Sequence, residues 1–326
     1  MLVYCGIDEA GYGPMFGPLC VGASVFVMPD YDPSSGAPDL WSILDPIVCR
    51  KRRDRRHRIA VNDSKKLKSS SNIKGLFHLE RGVLAFMCAL GDELPLTIDN
   101  DTTDSDYFNA LECSTTSAPW LDSTTRLPVA VDMLELRIDA ARLRRVLDEA
   151  NVQCNWLSCT SIDASTYNER TAIESKAALN LSTTLRLVDA IVHRLPKSHP
   201  RIMIDRHGGR IHYRNDLQQY WPEAHIQILS ETASMSRYKL QLDTSQVTIS
   251  FASKSDETHL PVALASMIAK YTRELQMIRF NRYFQNLIPT IKPTAGYVQD
   301  GRRFLKEIEP LLAKKGINRE LLVRSS

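Results

Sequence analysis

The stretch YCGIDEAGYGPMFGPLCVGASVF, residues 4–26, places two adjacent carboxylates, Asp8 and Glu9, at the end of a short apolar run. Glycines and prolines follow and predict a turn. Residues 19–27 are apolar again, which predicts a second strand that pairs antiparallel with the first. Two acids at the end of a buried strand are costly unless a cation binds them. The stretch therefore predicts a strand–turn–strand unit that ends at a cation-binding position.

The same pattern recurs later in the chain. Residues 201–205 form a short apolar run that again ends on an acid, Asp205, and Asp256 lies just before a helical pattern that starts with a proline. If the two acid-ended strands are neighbours in one sheet, their acids project from the same edge. Strands that alternate with long helical patterns favour an α/β domain. We therefore expect Asp8, Glu9, Asp205 and Asp256 to converge.

Four converging carboxylates repel one another, so protonation or cations must relieve the repulsion. Hard oxygen ligands without a histidine or cysteine cluster favour Mg²⁺ or Mn²⁺. Carboxylate clusters of this kind hold two metal ions about 4 Å apart and hydrolyse phosphodiesters. The alternative is a purely structural role, in which each aspartate only caps a turn or a helix, as aspartate at the end of a strand commonly does.

Composition excludes several classes of protein. The seven cysteines form no CxxC pair, which argues against a disulfide framework and against a zinc module. A reduced, cytoplasmic protein is expected, without a signal peptide or a membrane span. The formal net charge of +3 does not by itself indicate nucleic acid. The basic run 50–58 is interpreted either as a solvated loop or as a patch that faces phosphate.

The coarse pattern favours a single domain over residues 1–326. The stretch 93–127 is rich in Asp, Ser and Thr, and we interpret it as a surface insert. The part from about 276 to 326 is expected to be a helical C-terminal extension. Apolar spacing predicts helices over residues 73–90, 134–150, 172–195 and 262–277.

Several motifs, in order along the chain, resemble those of the ribonuclease HII family. The most specific are the opening IDEAGYGP motif, the NDSKKL motif and the segment from the KSD triplet to the ASMIAKYTR motif. The MID strand end and a late Gly-Tyr pair agree in order and rough spacing. These segments are residues 7–14, 62–67, 203–205, 254–256 with 265–273, and 296–297.

This resemblance implies an RNase H-like fold, with a central mixed five-stranded sheet flanked by helices. It also implies a metal-dependent endonuclease that hydrolyses the RNA strand of RNA–DNA hybrids. Asp8, Glu9, Asp205 and Asp256 would be the catalytic, metal-binding acids, with one metal ion activating water and the other stabilising the leaving oxygen. The implied partner is nucleic acid, and we expect a monomer without membrane contact.

The resemblance also implies a set of substrate-binding residues. The glycine turn approaches the nucleic-acid backbone, the NDSKKL motif holds phosphates, and a late aromatic side chain stacks on a sugar. These residues are Gly11, Tyr12, Gly13, Ser64, Lys65, Lys66 and Tyr297.

The sequence departs from the family at Tyr12, where the family has a basic residue between the two glycines. The missing charge should loosen the register on a single embedded ribonucleotide, so a run of ribonucleotides is the expected preferred substrate. Two alternatives stay open: a nuclease of the same fold that acts on structured DNA, and a non-catalytic module that binds hybrids. The presence of all four acids argues against the second.

Overall fold

A mixed sheet forms the centre of the molecule. The computed structural model describes residues 1–70, 72–90, 96–196, 198–243 and 245–325. In these ranges the strands are β1 (Leu2–Ala10), β2 (Leu19–Met28), β3 (Val48–Cys49), β4 (Ile59–Ala60), β5 (Gln153–Ile162), β6 (Arg201–Asp205), β7 (His225–Glu231), β8 (Met235–Gln241) and β9 (Gln246–Ala252).

The order of the main sheet is β5-β2-β1-β6-β9-β8-β7, seven strands in the described part of the chain. The strand β1 pairs antiparallel with β2 and parallel with β6, and β6 pairs parallel with β9. This is the RNase H-like mixed sheet that the sequence predicts, but the expected number of five strands is wrong. The antiparallel strands β8 and β7 extend the sheet beyond β9, because the residues that follow β6 fold into a further antiparallel hairpin.

Helices cover both faces of the sheet. Among the described residues, none of them is long and apolar enough to cross a membrane. They are α1 (Leu40–Ile43), α2 (Ser64–Leu67), α3 (Phe77–Cys88), α4 (Asp104–Ala110), α5 (Met133–Glu149), α6 (Ala164–Thr171), α7 (Lys176–Arg194), α8 (Arg214–Tyr220), α9 (Ser255–Thr258), α10 (Leu260–Leu287) and α11 (Val298–Lys315), with 3-10 turns at Pro33–Ser35, Ile73–Leu76 and Arg319–Leu321.

Side chains of β1 alternate between two apolar cores, as a strand that is buried on both faces requires. Leu2 and Tyr4 belong to the core on the α10 side, whereas Val3 and Ile7 belong to the core on the α7 side. The helix α10 lies very close to β1, because a Cβ atom at Gly6 would be 2.1 Å from main-chain atoms of α10. This close approach brings the start of α10 to the end of β1.

The stretch interpreted as a surface insert is corrected where the structure describes it, in residues 96–127. Its helix α4 buries Tyr107 and Phe108 in the main core. Asp104 at the start of α4 is fully buried and accepts a 2.7 Å hydrogen bond from Nε of Arg279 on α10. The sequence did not reveal this contact, because the stretch is polar and the two partners are 175 residues apart.

Candidate active site

Two of the predicted acids come together through the register of the sheet. Ile7 on β1 is paired with Ile204 on β6, so the next residues, Asp8 and Asp205, lie side by side where these parallel strands end. The carboxyl ends of parallel strands are where open α/β sheets place their sites. The backbone register alone therefore brings two acids to one edge.

The third and fourth acids reach this edge from other directions. Glu9 follows Asp8 and, by strand alternation, points to the opposite face of the sheet, where the side chain of Asn180 on α7 acts to lower its pKa. Asp256 lies in α9, directly after β9, and the main-chain N–H of Ser255 donates a 2.9 Å hydrogen bond to Asp205. The short helix α9 is thus fixed against the end of β6.

Burial raises the pKa of all four carboxyl groups. Burial and the negative charges of Glu9 and Asp205 hold the pKa of Asp8 well above its usual value. Burial and the charge of Asp205 raise the pKa of Glu9 to about 7, and burial with the charges of Asp63 and Asp205 raises the pKa of Asp256 to about 6. Burial also raises the pKa of Asp205 above its usual value. The acids therefore influence one another's charge.

No direct salt bridge neutralises these four acids within the described residues. The charge of Lys65 lowers the pKa of Glu9, Asp205 and Asp256 without forming a salt bridge to any of them. Buried or half-buried carboxylates without a paired cation are unfavourable. The arrangement lacks positive charge at its centre.

The donor chemistry fits a divalent cation. Mg²⁺ and Mn²⁺ prefer carboxylate oxygens, and Asp8, Glu9, Asp205 and Asp256 supply only such oxygens. In the described part of the chain, the side chains as placed do not form a group of three or more His, Cys, Asp or Glu residues close enough to hold a metal ion. The metal site stays a prediction.

The NDSKKL segment lies next to the acids. Asp63 caps α2 by accepting a 2.9 Å hydrogen bond from the N–H of Lys65. Ser64 is buried with its hydroxyl 3.1 Å from that of Ser266, so its side chain does not face a phosphate as expected. Lys66 is exposed and forms a 2.7 Å salt bridge with Glu257. Lys65 is exposed beside the acids and remains the best placed of the three.

The turn Gly11–Gly13 lies beside the acids as expected. Gly11 has φ +85°, and a Cβ atom there would be 2.5 Å from the carbonyl of Pro18, so only glycine fits. Tyr12 is exposed, and the Lys176 ammonium lies 4.2 Å from its ring centroid. The turn itself lacks a positive charge, but the first residue of α7 places one on it.

Tyr297 is 53% exposed and lies beside the same turn. The preceding glycine accepts hydrogen bonds from the N–H groups of Met15 and Phe16 at 2.9 and 3.2 Å. Arg273 on α10 is almost fully buried and donates to the carbonyls of Phe16 and Ala295. Arg273 therefore fixes both segments, and the exposed ring of Tyr297 is accessible to a ligand.

The basic run 50–58 is partly neutralised by its own surroundings. Arg56 forms a 2.8 Å salt bridge with Asp45, and Arg58 pairs with the same carboxylate and with Asp54. Arg50 lies over an indole ring at 3.8 Å. These contacts engage Arg50, Arg56 and Arg58 and favour a structured loop at those positions.

Sequence reasoning missed three residues of this neighbourhood. Asn180 and Lys176 lie on α7, far along the chain from Asp8 and Glu9, in a helix whose apolar face is the stronger signal. Ser266 lies inside the ASMIAKYTR motif, and contact with its hydroxyl lowers the pKa of Asp8. The ASMIAKYTR motif predicts the helix α10, but it does not predict the direction in which the side chain of Ser266 points.

Residues 210–307 match the family model described as ribonuclease HII, a segment that contains Asp256 and Tyr297 but not the other three acids. No curated protein sequence matches the chain. This match and the mixed sheet support a nuclease of the RNase H fold.

Solved structures with a similar course of the chain are ribonucleases of types HII and HIII. The PCNA–RNase HII complex from Archaeoglobus fulgidus shares 17% identity, with 99% of this chain and 94% of that chain covered and a TM-score of 0.41. Ribonuclease H2 from Pyrococcus horikoshii OT3 shares 15% identity, with 98% and 92% covered and a TM-score of 0.44. A mutant protein of Bst-RNase HIII shares 16% identity, with 99% and 66% covered and a TM-score of 0.43.

The family-model match contains two of the five segments that carry the resemblance, residues 254–256 with 265–273 and residues 296–297. The findings support a member of the ribonuclease HII family.

Proposed function

We propose that this protein is a metal-dependent endonuclease that hydrolyses the RNA strand of RNA–DNA hybrids, with residues 1–326 acting as one nuclease domain. The observation that carries the proposal is that Asp8 and Asp205 lie side by side where β1 and β6 end, with Glu9 and Asp256 near enough for their charges to raise the pKa of Asp8. The family-model match supports the same chemistry.

Asp8, Glu9, Asp205 and Asp256 would hold Mg²⁺ or Mn²⁺, which supplies an activated water and charge stabilisation at the leaving oxygen. The residues of the chain have separate tasks. Ser266 and Asn180 lower the pKa of Asp8 and of Glu9 and so favour the charged carboxylates that a metal ion would need. The N–H of Ser255 fixes Asp205.

The substrate-binding residues surround the acids. Lys65 provides positive charge beside them, and Gly11 allows the backbone of the turn to approach a nucleic-acid strand. Tyr12 and Tyr297 are exposed aromatic rings near this turn. Aromatic rings stack on nucleotides with little dependence on sequence. The arrangement favours a single strand that lies across the turn.

A cleavage assay with Mg²⁺ and with Mn²⁺ tests the proposal on three substrates: a continuous RNA–DNA hybrid, a DNA duplex with one embedded ribonucleotide, and all-DNA branched and linear duplexes. We expect cleavage of the hybrid, less cleavage at the single ribonucleotide, and none of DNA. Cleavage of branched DNA and of no other substrate would show that the substrate is structured DNA and not an RNA–DNA hybrid. Binding of the hybrid without cleavage in either metal would favour a non-catalytic module.

A further inference from the structure

A separate cavity lies beside the candidate active site, between α6, the start of α7 and residues 319–325. Its volume is about 720 Å³, and its lining includes Tyr167, Asn168, Lys176 and Arg324. None of the four acids of the active site lines it. The proposed reaction therefore assigns no role to this space.

Arg324 is the most unusual residue of this cavity. Its side chain is buried, with 5% of the residue exposed, and none of its three guanidinium nitrogens has a hydrogen-bond partner among the described residues. Its guanidinium lies 5.0 Å from the ring centroid of Tyr167. Burial, with the nearby charge of Arg273, lowers the pKa of Arg324 to about 10. A buried cation with five unused donors is costly unless an anion binds it.

The segment that carries Arg324 is held in place by its backbone. Nδ2 of Asn168 donates to the carbonyls of Glu320 and Val323 at 3.1 and 2.8 Å. Oδ1 of Asn168 accepts a 2.6 Å hydrogen bond from the N–H of Ser325. The position of Arg324 therefore follows from contacts on both sides of it.

Lys176 supplies a second cation to the cavity. It is the first residue of α7, where the helix dipole favours anions, and its ammonium lies over Tyr12. Two carboxylates also line the cavity: Glu174, which pairs with Arg170, and Glu320. Lys176 forms no salt bridge within the described residues. The positive charges of Lys176 and Arg324 together therefore exceed the negative charge of Glu320, the lining carboxylate without a salt bridge among the described residues.

We propose that this cavity binds a phosphate-type oxyanion through the guanidinium of Arg324 and the ammonium of Lys176. In the enzyme with substrate, the anion is a backbone phosphate of the nucleic-acid strand, outside the linkage that is cleaved. This second statement rests on the proposed function. Tyr12 lies between the cavity and the candidate active site, because its ring contacts Lys176 and the charge of Glu9 raises its pKa.

The first experiment uses inorganic phosphate as the probe. Thermal unfolding of the full chain is measured in phosphate and in chloride at matched ionic strength. We expect phosphate to raise the melting temperature of the wild type, and Arg324→Gln and Lys176→Gln to lose most of this rise. Arg145→Gln, an exposed arginine on α5, is the control and keeps it.

The second experiment measures binding of an RNA–DNA hybrid in EDTA, where cleavage does not interfere. We expect Arg324→Gln to weaken binding roughly ten-fold, as expected for loss of a charge-assisted contact. The slope of log affinity against log salt should fall by about one, because one phosphate contact is lost. Arg145→Gln should change neither quantity.

The outcomes separate the two sources of phosphate. Changes in both experiments support a backbone phosphate. A change with inorganic phosphate alone supports the oxyanion site and overturns its assignment to the nucleic-acid strand. The proposal is wrong if phosphate stabilises the wild type and Arg324→Gln equally. It is also wrong if Arg324→Gln has a much lower melting temperature in chloride while Lys176→Gln behaves as the wild type in both experiments. Neither experiment requires cleavage, so a protein inactive on every substrate does not decide this inference.

Discussion

Asp104 and Arg279 are both buried and hydrogen-bond to each other, whereas Asp8, Glu9, Asp205 and Asp256 have no salt-bridge partner among the described residues. Both regions adjoin the helix α10, one near its C-terminal half and the other before its start. The paired region stabilises the fold. The unpaired region costs stability, and a chain that keeps such a cost points to a ligand of opposite charge.

The largest effect is expected at the unpaired acids. Asp8→Asn should reduce cleavage of a hybrid by roughly 10²-fold to 10³-fold or more, because it removes charge where the transition state needs it. Without metal, its melting temperature should equal or exceed that of the wild type, since repulsion falls. The matched control is Asp148→Asn on the exposed face of α5, which should behave as wild type in both measurements. Wild-type turnover by purified Asp8→Asn would remove this acid from the site.

The paired region should respond in the opposite way. Arg279→Met should lower the free energy of unfolding by about 3–5 kcal/mol, because it leaves Asp104 buried without its cation. Denaturant unfolding measures this loss. The double variant Asp104→Asn/Arg279→Met should lose less than the sum of the single variants. A loss below about 1 kcal/mol for Arg279→Met would show that the pair contributes little.

A second paired carboxylate, Glu274, predicts a dependence of stability on pH. Burial alone would raise its pKa, but the charges of Lys270, Lys68 and Arg273 outweigh burial and lower it to about 2. Its contribution to stability is therefore complete above its unfolded pKa of 4.5 and is lost as the pH falls towards 2.

We expect the unfolding free energy of the wild type to fall over this range by roughly 3 kcal/mol more than that of Glu274→Gln. At pH 7 the variant should be the less stable of the two. The range from pH 5 to pH 2 spans the unfolded and folded pKa values of Glu274. Parallel stability curves for the two proteins over this range would contradict the ion-pair assignment.

The smallest effect is expected at Tyr12. Tyr12→Leu removes the ring on which Lys176 lies and should weaken hybrid binding about two-fold to five-fold, as expected for an exposed cation–π contact. Tyr12→Phe keeps the ring and should bind as the wild type does. Binding in EDTA measures both. Equal weakening by Leu and Phe would assign the effect to the hydroxyl group instead of the ring.

The sequence predicted the two acid-ended strands because their signals are local. An apolar run that ends on an acid can be recognised within a few residues, and β6 has the predicted bounds, Arg201–Asp205. The contacts between distant segments could not be predicted. The burial of Asp104 depends on Arg279, and the cavity at Arg324 depends on Asn168, and in both cases the partners are far apart in the chain.

The number of strands was also wrong for a physical reason. The expected five strands came from the family resemblance, whereas β8, with alternating buried side chains, and the largely exposed β7 pair onto the open edge of β9 and extend the sheet. Ser64 shows the limit for single side chains. The NDSKKL motif places it at the start of α2, but only the approach of α10 decides that its hydroxyl faces Ser266.

A calorimetric titration of the metal-free protein with Mn²⁺ tests the central claim most directly, that the four acids are unpaired because they hold cations. The account predicts saturable binding to the wild type, a higher melting temperature with the metal, and a large loss of both in Asp8→Asn and Asp205→Asn. Asp148→Asn should bind Mn²⁺ as the wild type does. No binding to the wild type, or identical titrations of the wild type and Asp8→Asn, would contradict the account.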